Sequence, residues 1–470
     1  MGNIIMKGHV RERAGPLANH QARAKMAIQE IPNTLRPYQQ EGVYFLLKEE
    51  ACLLADEMGL GKTVQVAVAL SLLIPKSRFG RALIIVPAAL RINWEKEIDR
   101  WAPNLSVRRL LGDKDERFAN YSLPINILIA SYDQIRQDIL PLSNMVHFDI
   151  VVLDEAQKVK NINSDISLSV RLLKRDRSWA ITGTPVENSV NDLLAIFRFI
   201  KLDLLRQTMN KIEIHKLMQP HFMRRRKADV LPEMPPIILQ DVPLELSPQQ
   251  RKTYMSVWNN RSELIRKGKS RISNTAIFSV ITKLKQICNY DVESGESSKM
   301  EALRLVVDNL VGKEDKIIIF SQYVETLKQI SAHLKDKIVH EIYHGGLSED
   351  ARNLIIERFR SGEGPRAILM SLKAGGIGLN LQEASTVVLF DRWWNPALED
   401  QAINRAHRFN RINVLHVFRF TVVDSIEERI VRILSEKKIL FEQYVNQAEI
   451  AVIPKLDLND LMKIIDLHTE

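Results

Sequence analysis

Cys52-Leu-Leu-Ala-Asp-Glu-Met-Gly-Leu-Gly-Lys-Thr63 carries an apolar run into a glycine-broken turn, and the helical pattern Val64 to Leu73 follows at once. A strand, a glycine-containing loop and a helix start, in that order, are the setting of a phosphate-binding loop. Gly59 and Gly61 let backbone N–H groups approach phosphate oxygens, and the helix N-terminus adds the positive end of its dipole. Lys62 is placed to reach the β and γ phosphates of a nucleotide, and Thr63 to offer a hydroxyl to Mg²⁺. Asp56 stands where G-x-x-x-x-G-K-[ST] has its first glycine, so these residues alone also allow a glycine-rich turn with a solvated lysine.

A second stretch, Val151-Val-Leu-Asp-Glu-Ala-Gln157, sets two carboxylates at the end of an apolar strand, where side chains enter the crevice of an open sheet. Asp154 suits Mg²⁺, usually through water, and Glu155 suits orienting and deprotonating an attacking water. Alone it could be an ordinary acidic strand end. Together the two stretches point to nucleotide hydrolysis.

Outward from these motifs, short β-rich runs alternate with helical patterns over about residues 35 to 225 and again over about 295 to 440, the rhythm of parallel α/β domains. Strands are expected at Ala82 to Val86, Ile125 to Ala130, Ile150 to Leu153 and Trp179 to Thr182. The second block offers Lys316 to Phe320, Ile338 to Tyr343, Ala367 to Met370, Val387 to Phe390 and Val414 to Phe418. Several are continuously apolar, as when helices cover both faces of a sheet. The division expected is a loose basic arm over 1–30, an ATP-binding domain over 31–230, an extended linker and basic helical insertion over 231–294, a second α/β domain over 295–445 and a tail over 446–470. Leu231-Pro-Glu-Met-Pro-Pro236 marks the linker, because proline disfavours helix and restricts its predecessor.

Composition narrows the setting. With 470 residues, 45% apolar and 26% charged, the chain can bury two or three cores and is not disordered throughout. Two cysteines cannot build a disulfide framework, which suits a reducing, intracellular compartment, cytoplasmic or nuclear, or a host cell if the chain is viral. No apolar run approaches the ~18 residues of a membrane span, no secretory leader opens the sequence, and Met6 stands where myristoylation needs Ser or Thr. A net charge of +9 permits a polyanionic partner without requiring one.

The motifs, in their order, resemble superfamily-two helicases, and within them the Swi/Snf-like ATPases. Asp56-Glu57-Met58-Gly59-Leu60-Gly61-Lys62-Thr63 is similar to that group's phosphate loop, and Leu35 to Gly42 to its adenine-recognition segment, with Gln39 as base reader. Val86 to Glu95 resembles motif Ia, Ala130-Ser-Tyr132 the Ib/Ic region and Thr182 to Asn188 motif III. Ile317 to Tyr323, Ser371 to Leu381 and Gln401 to Arg408 resemble motifs IV, V and VI. Met223-Arg-Arg-Arg-Lys to Pro235 resembles the segment leaving the first domain, and Thr421 to Glu428 with its following helix the bracing C-terminal element.

The resemblance implies two tandem RecA-like parallel-sheet domains with ATP between them and a helical insertion. Arg405 and Arg408 would then be brought to the γ-phosphate held by the first domain. It also implies a DNA-stimulated ATPase that travels along double-stranded DNA, working as a monomer, with any loading partner unspecified. Ser131, Asn188, Ser371 and Lys373 are the implied contacts to the phosphate backbone, although single Ser or Asn residues also serve as caps and turns. Basic residues of the insertion, including Arg261, are expected to face DNA, and Asp391 to Pro396 to line the interdomain track or to sit in the core. Two departures stand out: Asn404 replaces a common Asp, and motif VI ends Arg408-Phe-Asn-Arg411 rather than Arg-x-Gly-Gln. Accessory modules are not expected, which makes the chain close to a bare motor. A strand-separating helicase and a nucleotide-gated DNA scaffold are the alternatives.

Overall fold

The computed structural model describes residues 35–183, 190–266, 274–310, 314–362, 364–372, 379–408, 411–445 and 458–467. Among them run two parallel sheets. The first holds β1 (Ala51–Leu54), β2 (Ala82–Val86), β3 (Val107–Arg109), β4 (Ile127–Ser131), β5 (His147–Asp154), β6 (Lys174–Ile181) and β7 (Phe222–Met223), in the order β3-β4-β2-β5-β6-β1-β7. The second holds β8 (Ile237–Leu244), β9 (Lys316–Ser321), β10 (His340–Tyr343), β11 (Ala367–Ser371), β12 (Ala384–Leu389) and β13 (Leu415–Val422), in the order β10-β11-β9-β12-β13-β8.

The apolar strands are central because helices close both faces. Every residue of β2, β4 and β11 is buried. One face of the first sheet packs under Tyr132–Met145 and Val190–Ile200, the other under Lys62–Leu73 and Arg91–Trp101. Parallel pairing brings strand ends level: Leu54 of β1 and Asp154 of β5 both register with Ile181 of β6. The turns that follow these strands therefore open at one edge of the sheet, the place where open parallel sheets bind ligands.

Two expected boundaries shift. The linker does not run through to the insertion: β8 pairs residue for residue with β13, from Ile237 opposite Leu415 to Leu244 opposite Val422. Pro243 lies inside this strand and is tolerated because β8 is an edge. Nor do residues 458–467 stand apart from the insertion. Leu458–Ile464 is helical, and Leu461, Met462, Ile464 and Ile465 are buried against the insertion helices Pro248–Asn259 and Asn274–Asn289 and the bracing helix Ile426–Val445. Arg261 belongs to this packing and not to a DNA-facing edge. Its guanidinium donates to the carbonyls of Ile465 (2.6 Å), Trp258 and Asp466 and lies over the Trp258 ring. Lys267, Lys269 and Arg271, the neighbouring basic residues of the insertion, lie outside the described residues, and of Arg266 only the backbone is described. No helix among the described residues is long and apolar enough to cross a membrane.

A fully buried ion pair fixes the brace to the second sheet domain. Lys299 Nζ donates to Glu427 Oε1 (2.6 Å) and Asn289 Oδ1 (2.9 Å), while Glu427 Oε2 accepts from the Val422 amide. Removing the ammonium leaves a carboxylate buried without its partner. Lys299→Met is therefore expected to cost about 3–5 kcal/mol, read as a lowered urea midpoint for unfolding of this domain.

Candidate active site

The phosphate loop is shaped by left-handed glycines and anchored from behind. Gly59 and Gly61 have φ of +91° and +74°, and helix Lys62–Leu73 begins immediately after. Asp56 is fully buried and accepts from Arg225 Nε (3.0 Å), Arg225 Nη2 (2.5 Å) and Gln65 Nε2 (3.2 Å). An aspartate replaces the usual glycine here because its carboxylate fastens the loop to the segment leaving the sheet. Arg225 also donates to the carbonyl of Tyr38 and to Gln65. The basic run Met223-Arg-Arg-Arg-Lys227 was the available sequence signal for this role, but nothing in it distinguishes Arg225 from its neighbours.

The remaining loop residues take distinct places. Gln39 lies over the turn, with Nε2 3.5 Å from the Leu60 carbonyl and 2.6 Å from where a side chain on Gly61 would begin. Leu60 is buried with Tyr38 and Leu231. Glu57 accepts from the Lys227 amide (2.8 Å), and the Met58 side chain covers Gly183. Lys62 Nζ donates to the carbonyls of Asp56 (2.6 Å) and Glu57 (3.2 Å), and Thr63 sits in the first helical turn. Burial pushes the Lys62 ammonium below its ordinary pKa, against the pull of Asp56, Glu155 and Asp154.

The paired carboxylates stand at the end of β5. Asp154 accepts from Trp94 Nε1 (2.7 Å) and from the Glu155 amide (2.9 Å), and Tyr132 Oη donates to its carbonyl (2.7 Å). Burial, reinforced by the neighbouring Glu155 charge, raises the Asp154 pKa above the usual carboxylate range. A cation at this carboxylate would oppose that shift, and each oxygen retains lone-pair capacity, so Asp154 with Thr63 fits Mg²⁺. Glu155 adopts a left-handed backbone (φ +51°), which turns the chain out of the strand and carries some strain. Its carboxylate accepts from Gln157 Nε2 (2.7 Å), and Gln157 Oε1 accepts from Thr182 Oγ1 (2.7 Å), which links this turn to the end of β6.

Motif VI comes to the same place from the second domain. The side chain of Arg408 lies 3.7 Å from where a Gly59 side chain would begin, beside the phosphate loop. Arg405 is buried, and Asp154 and Glu155 favour its charged form. Burial moves both guanidinium pKa values down, and Arg405 adds repulsion at Arg408. Lys62, Arg405 and Arg408 thus converge with Asp154 and Glu155 at one interdomain cleft.

The altered end of motif VI has a physical counterpart. Arg411 is buried and donates to the carbonyls of Gln382, Ala384, Ala406, Asn413 and Val414, at 2.6–3.1 Å. It supplies from a side chain the donors that hold this turn.

The expected DNA contacts fare unevenly. Ser131 is buried, and its hydroxyl caps helix Tyr132–Met145 by accepting from the Gln134 amide (3.3 Å), so it does not present itself to a backbone phosphate. Ser371 ends β11 and is also buried. Asn188 and Lys373 lie outside the described residues. Within the segment Asp391 to Pro396, Trp393 takes the core alternative, while Trp394, Asn395 and Pro396 are half-buried. Asp391 and Trp393 are buried, and Trp394 meets Phe278 edge-on (5.7 Å) and the Lys285 ammonium (5.1 Å).

Two parallel-sheet domains, with a phosphate loop on one and paired arginines brought to it from the other, define a helicase-type architecture. Residues 38–293 match the SNF2-related domain and residues 298–410 the helicase conserved C-terminal domain, and the chain belongs to the SNF2-related family. It is 36% identical over 429 residues to a Mycoplasma pneumoniae protein described as an uncharacterized ATP-dependent helicase, covering 86% of this chain and 42% of that protein. It is 30% identical over 462 residues to the chromatin remodeling factor mit1 of Schizosaccharomyces pombe, covering 87% of this chain and 32% of that protein. The chain thus spans less than half the length of these curated relatives. Among solved structures it matches the Sulfolobus solfataricus SWI2/SNF2 ATPase core in complex with dsDNA, at 30% identity, 93% and 98% coverage of the two chains and a TM-score of 0.43.

Because Arg411 satisfies five carbonyls at once, Arg411→Ala is expected to destabilise the second domain by about 3 kcal/mol or more. The measurement is a thermal or urea melt of the full chain, with hydrolysis assayed below the shifted midpoint.

Proposed function

We propose that this chain is a DNA-stimulated ATPase that moves along double-stranded DNA without obligatory strand separation. The observation that carries the reading is the approach of Arg408 to Gly59, with Lys62, Asp154, Glu155 and Arg405 around the same cleft. Cations from two domains become favourable together when a polyanion lies between them, and a nucleoside triphosphate carries the required charge. Membership of the SNF2-related family and the Swi/Snf resemblance support duplex DNA as the track.

In this mechanism Lys62 and the amides of the phosphate loop hold the β and γ phosphates, and Gln39 reads the base edge. Thr63 and Asp154 would hold Mg²⁺, which would offset phosphate charge. Glu155 orients the attacking water and takes its proton, while Gln157 fixes one carboxylate oxygen and leaves the other available. Arg405 and Arg408 stabilise charge developing on the transferred phosphoryl group. The cleft must close to complete the site, so hydrolysis and reopening alternate the grip of the two domains on DNA. Asn188 and Lys373 are the candidates for that grip.

The deciding measurement compares hydrolysis without polymer and with single-stranded DNA, duplex DNA, forked DNA and RNA, alongside triplex displacement and strand displacement. Duplex stimulation with triplex displacement is expected; unwinding without triplex displacement points to a strand-separating helicase and overturns the reading. Glu155→Gln is expected to lower turnover about 10²- to 10⁴-fold while nucleotide binding persists. Unaltered DNA-dependent function in that variant would favour a scaffold. Arg408→Ala is expected to cost about 10³-fold or more in kcat with nucleotide affinity little changed.

A further inference from the structure

We propose that Lys227 is a positioning residue that latches the two domains together, capping the motif VI helix from across the cleft and so setting Arg408 against the phosphate loop. The inference rests on the two-domain reading of the site and adds the group that registers one domain on the other.

Lys227 lies in the segment that leaves the first sheet after β7, yet it is buried, an uncommon state for lysine. Its Nζ donates to Asn404 Oδ1 (2.5 Å) and to the carbonyl of His407 (2.6 Å), immediately before Arg408. The backbone amide of the same residue donates to Glu57 Oε2 in the phosphate loop, and its Cε lies 3.2 Å from where a Gly59 side chain would begin. One residue thereby touches a loop carboxylate, a motif VI side chain and a motif VI carbonyl, and lies beside Gly59. A second contact runs parallel to it: His407 Nε2 lies 2.8 Å from the Pro235 carbonyl, eight positions further along the same segment.

The energetics suit a reversible latch. Helix Pro396–Ala406 ends at this carbonyl, and a cation is favourable at the negative end of the helix dipole. The direct acceptors of the ammonium are nevertheless neutral, a carboxamide and a carbonyl. Burial consequently moves the Lys227 pKa down to about 8, Glu57 opposes the shift, and Arg408, Lys62 and Arg405 add to it. When the domains part, water solvates the ammonium again, so the contact gains little net energy and holds the closed geometry without locking it. An Asn at 404 in place of the Asp common in the Swi/Snf pattern keeps the pair from becoming a buried ion pair.

The test uses the full chain with fluorophores at Leu140→Cys and Val339→Cys, exposed positions on the two domains, since Cys52 and Cys288 are fully buried. Energy transfer is read with a non-hydrolysable ATP analogue, and kcat and KM for ATP with saturating duplex DNA. Lys227→Met is expected to lower the closed fraction and to reduce kcat about tenfold or more, with KM within about twofold. Asn404→Ala is expected to shift both in the same direction, and the double variant to be no worse than Lys227→Met alone. Asn404→Asp, which sets a carboxylate against the ammonium, is expected to raise the closed fraction.

Unchanged energy transfer and kcat in Lys227→Met, strictly additive effects in the double variant, or a lower closed fraction in Asn404→Asp overturns the latch. If Lys227→Met does not fold, the two Asn404 variants decide. Failure of the wild-type chain to hydrolyse ATP would sink the proposed function alone, because closure with the analogue still reports on Lys227.

Discussion

Lys227 and Arg405 are buried, and Lys62 and Arg408 half-buried, around one cleft, and loss of water contact disfavours the charged form of each. Charges of one sign crowded at low dielectric repel strongly, and the carboxylates of Asp154, Glu155 and Glu57 offset only part of the cost. A polyanion in the cleft changes the sign of the balance. Much else in the site can be understood as preparation for that exchange: glycines bare the backbone amides, Asp56 fastens the loop from behind, and the turn at Glu155 aims a carboxylate past the end of its strand.

The fold's central strands were legible because they are continuous apolar runs, and β2 was placed to the residue at Ala82–Val86. Edge elements were harder to read. The short β3 and β7 have no apolar run of their own, and β8 carries a proline, Pro243, that argues against a strand unless its edge position is known. The packing of Leu458–Ile464 on the insertion depends on contacts from residues some two hundred positions away, which no local pattern encodes.

At the site, residues inside dense local motifs were legible, Arg405 and Arg408 among them, and single residues that act across long separations outside such motifs were not. The stretches 56–63 and 154–157 announce themselves by spacing. Arg225 reaches Asp56 across 169 positions, Lys227 reaches Asn404 across 177, and Arg411 replaces a turn sequence with side-chain donors. Single Ser residues were the least informative signal, since a hydroxyl that could meet a phosphate is equally suited to a helix start, as at Ser131.

The pairing of β8 along β13 shortens the connection between the domains to residues 224–236. A tether of that length, gripped near one end by Arg225 and Lys227 and near the other by the contact of His407 with Pro235, leaves few backbone torsions about which the halves can swing. Small rotations there are delivered to the whole second sheet as a rigid lever, so displacement at its far rim grows with distance from the pivot.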